Sequence, residues 1–379
     1  MTIGVIGPGR LGICFALLLE KVGHSVMVSD IRKSYVDSIN NKNIESNEPQ
    51  VKELLNSSTK LKAVYKNSQV IDQCDLIFAI VSTPSTPSGR YNVSSLEEIV
   101  QEFASRKDVK GKTLIITSTT NPGDCEKFQA HLKDAGVNLL YNPEFIAQGS
   151  IIKDIQTADT VLIGGNNQQS INAVILLYSE LQSKNPNIHC MSLTAAEIVK
   201  IAINCYLTTK ISYANIVGQV LISSGLENEM RAVLSAIGND TRIGTKYLNF
   251  GHGFGGPCLP RDNRAFGNYA TSLGIDFNLG NQIDEFNQSH LNFLKQYYIN
   301  KNINNIPFYF RYISYKEDTD IFDESQQLAL CKALLKDGFL VYIEDSYLIN
   351  SYLKDELVIA GAKFINKQST DIKLLTIEI

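Results

Sequence analysis

Nothing in this chain reads as a membrane span, a secretory leader or a metal centre. No uninterrupted apolar run approaches the roughly 18 residues that cross a bilayer, and residues 2–6 open directly into a strand pattern without a basic stretch ahead of an apolar one. The five histidines show no pairing at ligand spacing. The seven cysteines, at 14, 74, 125, 190, 205, 258 and 331, include no CxxC pair. An odd, scattered set of thiols argues for a reducing, cytoplasmic setting and against a disulfide scaffold or structural zinc. A net charge of −4 leaves no basic footprint for nucleic acid or an anionic membrane. No short-period repeat is present, and no low-complexity tract beyond an Asn/Ile bias around 300–306.

What is present suits a globular chain of two or three domains, with 379 residues, 44% hydrophobic and 20% charged. The opening strand runs into Gly7-Pro8-Gly9-Arg10-Leu11-Gly12 and then an Ala/Leu-rich helix to about Lys21. A second strand, 25–29, ends at Asp30. This GxGxxG has a mechanical reason for each glycine. The first makes a tight turn, the second admits a pyrophosphate to the backbone, and the third lets helix and sheet approach. The helix start offers free N–H groups and partial positive charge. Asp30 can accept from ribose hydroxyls and would repel a 2′-phosphate, so the pattern predicts NAD over NADP.

The α/β alternation continues through strands at 75–81, 113–117 and 138–141, with 159–165 read as the last of the domain. The first two end at Ser82-Thr83-Pro84 and Ser118-Thr119-Thr120, which puts hydroxyls where open α/β sheets bind ligands. Turn chemistry explains those hydroxyls as well. Residues 188–193 read as a short strand or linker, and from residue 194 a long helical pattern runs to Gly225, with Thr194 and Glu197 spaced as a capping box. Lys200 and Asn204 share one face of it, set among Val199, Ile201, Ala202 and Ile203, which suggests a site more than a solvated surface.

Residues 251–262, Gly-His-Gly-Phe-Gly-Gly-Pro-Cys-Leu-Pro-Arg-Asp, hold four glycines and two prolines around Cys258. No ordinary helix or strand tolerates that composition. Such a loop can present backbone N–H groups, a thiol and the Asp262 carboxylate to one small molecule; a Gly-rich connector with a buried cysteine is the plainer reading. Helical segments follow from about 263 to 300. Then come a strand-like stretch at 308–314, a charged loop, a helix at 325–336 and a strand at 340–343, a β-loop-α-β unit without its own GxGxxG.

These residues, in this order, resemble the UDP-glucose/GDP-mannose dehydrogenase family of NAD-dependent nucleotide-sugar 6-dehydrogenases. The resemblance rests on the GxGxxG with Asp30, Val81-Ser82-Thr83-Pro84, Ser118-Thr119 and Asn142-Pro143-Glu144-Phe145. It continues through Glu197, Lys200 and Asn204, then Asp240-x-Arg242-Ile243-Gly244, the Cys258 loop, and Lys316-x-x-Thr319 with Glu324-Ser325. It implies two Rossmann-like, doubly wound α/β domains joined by a long central helix. The expected division is an NAD-binding domain over 1–190, the helix with the dimerisation region and cysteine loop over 191–290, and a nucleotide-sugar domain over 291–379.

The resemblance also implies four-electron oxidation of a sugar C6 alcohol to a carboxylate, in polysaccharide precursor synthesis, by a homodimer that needs no metal. Cys258 would form the thiohemiacetal and thioester, Lys200 and Asn204 would hold the oxyanion, Asp262 and Glu144 would manage protons, and Thr119 would order water or nicotinamide. Gly7, Gly9, Arg10, Leu11, Gly12, Asp30, Thr83, Ser118 and Thr119 would meet the cofactor. Phe145, Lys200, Asn204, Arg242, Tyr247, Gly255, Tyr315 and Lys316 would meet the substrate, with Arg242 reaching the other subunit's sugar. Gln148, Thr160, Asp323 and Arg261 depart from the family's Glu, Arg, Arg and Lys, and no late Arg precedes Ile379. UDP-glucose is the expected substrate. The alternatives are UDP-N-acetylhexosamine or GDP-mannose, a β-hydroxyacid dehydrogenase, and a non-catalytic nucleotide-sugar sensor.

Overall fold

Short runs of Val, Ile, Leu and Phe bounded by turn residues are what a sheet buried on both faces requires, and they build the first sheet. A computed structural model describes residues 1–348, 352–365 and 373–377. Its strands β1 (Thr2–Ile6), β2 (Ser25–Ser29), β3 (Leu61–Val64), β4 (Leu76–Ala79), β5 (Thr113–Ile116), β6 (Asn138–Tyr141), β7 (Thr160–Gly164) and β8 (Asn187–Met191) lie in the order β3-β2-β1-β4-β5-β6-β7-β8. All pairs are parallel except β6–β7, which meet antiparallel at Tyr141 and Gly164. One apolar core gathers Phe15, Leu17, Phe78 and Tyr178, and another gathers Phe103, Leu114, Phe128 and Tyr141. Each such side chain contributes about 1.5–3 kcal/mol on burial. The sheet reverses direction of growth between β1 and β4, the place where open sheets of this kind bind ligands.

The structure differs from the sequence reading in several places, the unread edge strand β3 among them. The stretch at 159–165 is not the last strand, because β8 pairs beside β7 as an edge. The stretch at 188–193, read as a short strand or linker, supplies that edge, and its residues are mostly exposed. Glu197 does not box its own helix. That helix spans Leu193–Ser223, with Ala196 N–H donating to Ser192 O (3.0 Å). The Glu197 carboxylate is fully buried and accepts from Thr120 Oγ1 (2.7 Å), Gly123 N (2.6 Å) and Cys125 N (2.9 Å). It thereby satisfies the free N–H groups that begin the helix Asp124–Leu132.

The chain forms two units, Met1–Lys200 and Ile201–Ile379. The 31-residue helix Leu193–Ser223 carries the boundary and is about 46 Å long at ~1.5 Å per residue. It ends in a Schellman turn: Leu226 N–H bonds Leu221 O, Gly225 N–H bonds Ile222 O, and Gly225 takes φ +73°. The second unit continues with helices Met230–Gly238, Leu259–Ser272 and Leu279–Lys301. Its sheet holds β9 (Phe308–Phe310), β10 (Val341–Ile343), β11 (Lys363–Phe364) and β12 (Leu375–Thr376), all parallel in the order β11-β10-β9-β12. The helix Gln326–Lys336, capped by Ser325 Oγ on Leu328 N (3.2 Å), packs Leu330 and Leu334 onto Phe308, Phe310 and Ile343. Among the described residues no helix is long and apolar enough to cross a membrane.

Candidate active site

In the first unit the glycine turn divides its work. Gly7 sits at φ +89°, and a Cβ there would come within 2.6 Å of Ile80 O. A Cβ on Gly12 would overlap Gly7 O, whereas one on Gly9 would meet nothing within 4 Å. The outer glycines therefore close the turn and the middle one leaves a gap. Gly9 begins the helix Arg10–Lys21 without a side-chain cap, so the gap opens at a helix N-terminus. Tyr35 Oη pins the turn by donating to Pro8 O (2.8 Å). Leu11 packs against the core, and Arg10 Nη1 donates to Gln148 Oε1 (3.1 Å).

Asp30 follows β2 and takes three bonds from Arg32: from N (2.8 Å), Nε (2.9 Å) and Nη2 (2.8 Å). Burial alone would raise its pKa, but these bonds and the guanidinium charge outweigh it and hold the carboxyl below the usual range. A cleared gap over free N–H groups, with an ionised acid after the next strand, fits a dinucleotide's pyrophosphate and ribose.

The hydroxyls after β4 and β5 bind each other's loops. Thr83 Oγ1 donates to Thr119 O (2.8 Å), and Ser118 Oγ to Val81 O (2.6 Å). Their protons serve turn structure, and Thr119 is half-buried. After β6, Lys200 Nζ donates to Glu144 O (2.8 Å) and sits 4.7 Å from the Phe145 ring centroid. The Glu144 carboxyl is enclosed. Burial raises its pKa against the lowering pull of the Tyr178 hydroxyl and the Lys200 charge.

In the second unit the cysteine loop is docked rather than open. A Cβ on Gly253 would overlap Asn287 Oδ1, one on Gly255 would overlap Glu324 O, and one on Gly256, at φ +82°, would lie 2.5 Å from the Tyr315 ring. Three side chains clasp the loop. Asn287 accepts from Phe254 N (3.0 Å) and donates to Phe254 O (2.9 Å). Asn215 accepts from Gly251 N (2.9 Å), and His290 Nε2 reaches Gly251 O (2.7 Å) with Gln219 Nε2 behind its Nδ1 (2.8 Å). A carbonyl can only accept, so His290 carries its proton on Nε2. Sequence reading missed Asn215, Asn287 and His290, because nothing in their own helices marks them as loop partners.

The clasp delivers Cys258 to the start of the helix Leu259–Ser272, so residues 259–262, read as loop, are instead its first turn, where Pro260 is tolerated because the N–H it lacks would have no partner there. Cys258 is exposed, whereas Cys14, Cys74, Cys125 and Cys331 are buried. One turn on, the buried Asp262 donates its N–H to Cys258 O (2.9 Å) and accepts from the Asn204 amide. Of the other expected substrate contacts, Tyr315 packs on Gly256 of the loop. Arg242 is exposed and bidentate with Asp240, and Lys316 is exposed. Tyr247 is half exposed at φ +61°, a conformation few bulky residues adopt outside functional turns. At the ends of β9 and β10 a cavity of about 540 Å³ is lined by Tyr309, Arg311, Tyr312, Glu317, Glu344 and Tyr347, among others.

Residues 1–182 match the NAD-binding domain, and residues 194–289 the central domain, of the UDP-glucose/GDP-mannose dehydrogenase family. The chain is 30% identical to the UDP-glucose 6-dehydrogenase of Rickettsia typhi over 73% of its own length and 64% of that protein's. It is 29% identical to the GDP-mannose 6-dehydrogenase of Pseudomonas savastanoi pv. phaseolicola over 91% of its own length and 81% of that protein's. Among solved structures, a UDP-glucose dehydrogenase from Pyrobaculum islandicum superposes with a TM-score of 0.84 at 25% identity, covering 96% of this chain and 86% of the other. The match thus spans less than two thirds of the length of the Rickettsia relative.

Proposed function

Because this chain belongs to the UDP-glucose/GDP-mannose dehydrogenase family, we propose that it oxidises the C6 alcohol of a nucleotide sugar, UDP-glucose first, to the carboxylate in a reducing cytoplasm. The observation that carries the reading is Cys258: an exposed thiol at a helix start, behind a loop whose glycines are docked and clasped. NAD, held by the turn at 7–12 and by Asp30, supplies the hydride acceptor for each of two oxidations.

The protein's own part is covalent. The Cys258 sulfur adds to the C6 aldehyde, which prevents its escape, and the resulting thiohemiacetal oxygen becomes the thioester carbonyl after the second oxidation. Water then cleaves the C–S bond, giving the acid and returning the thiol. Lys200 and Asn204, one turn apart on one helix, are the assigned oxyanion donors. Asp262 takes and returns protons beside Asn204, and Glu144 serves the hydrolysis.

A homodimer is supported by an exposed apolar stripe on the long helix, Ile203, Tyr206, Tyr213, Ile216 and Val220, on one face by their spacing. Enzyme, NAD and UDP-glucose are expected to yield two NADH per sugar, and Cys258→Ala no acid. Absence of NADH with every nucleotide sugar would overturn the proposal. GDP-mannose is the second substrate reading, favoured by the longer alignment with the Pseudomonas relative; a substrate panel separates the two.

A further inference from the structure

We infer that Asn142 and Tyr178 form a relay that keeps Glu144 protonated. The argument is a count of protons. Asn142 Nδ2 donates to Leu162 O (2.9 Å), which fixes the amide and turns its Oδ1 toward Tyr178 Oη (2.9 Å). An amide oxygen only accepts, so the single tyrosine proton is committed to it. Tyr178 Oη also touches Glu144 Oε1 at hydrogen-bonding separation. With its proton spent, the hydroxyl can meet that oxygen only as an acceptor, and the shared hydrogen belongs to Glu144.

The chain then reads Glu144 O–H to Tyr178 O–H to Asn142 Oδ1, and every link is satisfied. An ionised Glu144 would draw the tyrosine proton away and leave a buried amide oxygen without a donor. Asn142 and Tyr178 are both almost wholly buried, so solvent does not stand in. The charged group facing this cluster is Lys200, from the long helix, and its ammonium donates to the Glu144 backbone carbonyl (2.8 Å). Burial of the carboxyl raises its pKa, while a bond donated by the Tyr178 hydroxyl and the Lys200 charge would pull it down; the relay removes the first of these by committing the tyrosine proton to Asn142.

Asn142 and Tyr178 are positioning residues: they set the form in which Glu144 enters, as a proton donor that must lose its hydrogen before it can accept one. That use rests on the oxidation proposed above; the protonation state itself does not.

The test is infrared difference spectroscopy on the ligand-free protein. Wild type minus Glu144→Gln at neutral pH is expected to show the carbonyl stretch of a protonated carboxyl group; ionised carboxylate bands would overturn the relay. Asn142→Leu frees the tyrosine proton for the carboxylate, and the Glu144 titration is expected to fall by about one pH unit. Tyr178→Phe removes that donor too and should not lower it. A folded Asn142→Leu protein with an unchanged titration would overturn the relay even if the band is present. Should that variant fail to fold, the wild-type spectrum and Tyr178→Phe decide. The band without NADH from any nucleotide sugar would leave the relay standing and sink the oxidation.

Discussion

The two glycine-rich loops use the same residue for opposite ends. At 7–12 the middle glycine faces open space over a helix N-terminus, and room is left for a molecule that is not part of the chain. At 251–258 glycines 253, 255 and 256 are filled from behind by Asn287, Glu324 and Tyr315, so the loop is pressed onto its own protein while the cysteine is exposed. One loop is shaped to receive, the other to aim. Glycine content alone does not separate them; the neighbours do.

Adding a methyl group to each loop should break them differently. Gly255→Ala puts Cβ into the Glu324 backbone carbonyl, which cannot swing aside. We expect turnover to fall about 100-fold through misplacement of the thiol and stability to drop by about 1–3 kcal/mol, read by NADH formation and denaturant titration. Unchanged values for both would mean that the loop is not aimed by docking.

Gly9→Ala should do the reverse. Its φ of −64° suits alanine, and nothing surrounds the new methyl. Stability should hold, while the affinity for NAD, measured by calorimetry, falls about tenfold, a loss of ~1.4 kcal/mol. A lowered melting temperature with intact NAD binding would assign that glycine to packing instead.

Asp30→Asn sharpens the receiving loop further. The carboxylate now occupies Arg32; without it the guanidinium is released for a 2′-phosphate. The ratio of NADP to NAD efficiency should rise about tenfold, the worth of one charge-assisted bond, and a ratio unmoved would show that Asp30 does not face the ribose.

The smallest effect concerns pH and the aiming loop. Burial, with His290 adding to it, pushes the His252 pKa down to about 4. In the unfolded chain the ring takes its proton near pH 6.5. Between those values the unfolded state binds the extra proton, so stability should decline as pH falls from 6.5 toward 4. His252→Asn should flatten that part of a denaturation-midpoint profile, and an equally steep slope would locate the acid sensitivity elsewhere.

Local signals exposed most of the first sheet, though not its edge strand β3, with the dinucleotide turn and the long helix, because each announces itself within a dozen residues. The GxGxxG needed only its own strand and helix, and Gly225 ended the long helix by its own backbone. Residues that act across the sequence were not legible. Tyr178 lies 34 residues from Glu144, and Asn287 lies 33 from Phe254. Each looks like an ordinary member of an amphipathic helix until the fold brings it to its partner. Glu197 misled for the same reason: its spacing suited a local cap, while its burial against another helix start decided the outcome. The edge strand β8 was legible only as a short strand or linker, because exposed strands need no apolar alternation.

The central claim is that Cys258 carries the sugar. The direct measurement is mass spectrometry of the Cys258 peptide from protein acid-quenched while turning over UDP-glucose and NAD, beside the NADH yield of Cys258→Ala. The account predicts a uronoyl thioester on that sulfur and no acid from the variant. An unmodified Cys258, with two NADH per sugar still formed by Cys258→Ala, would contradict it.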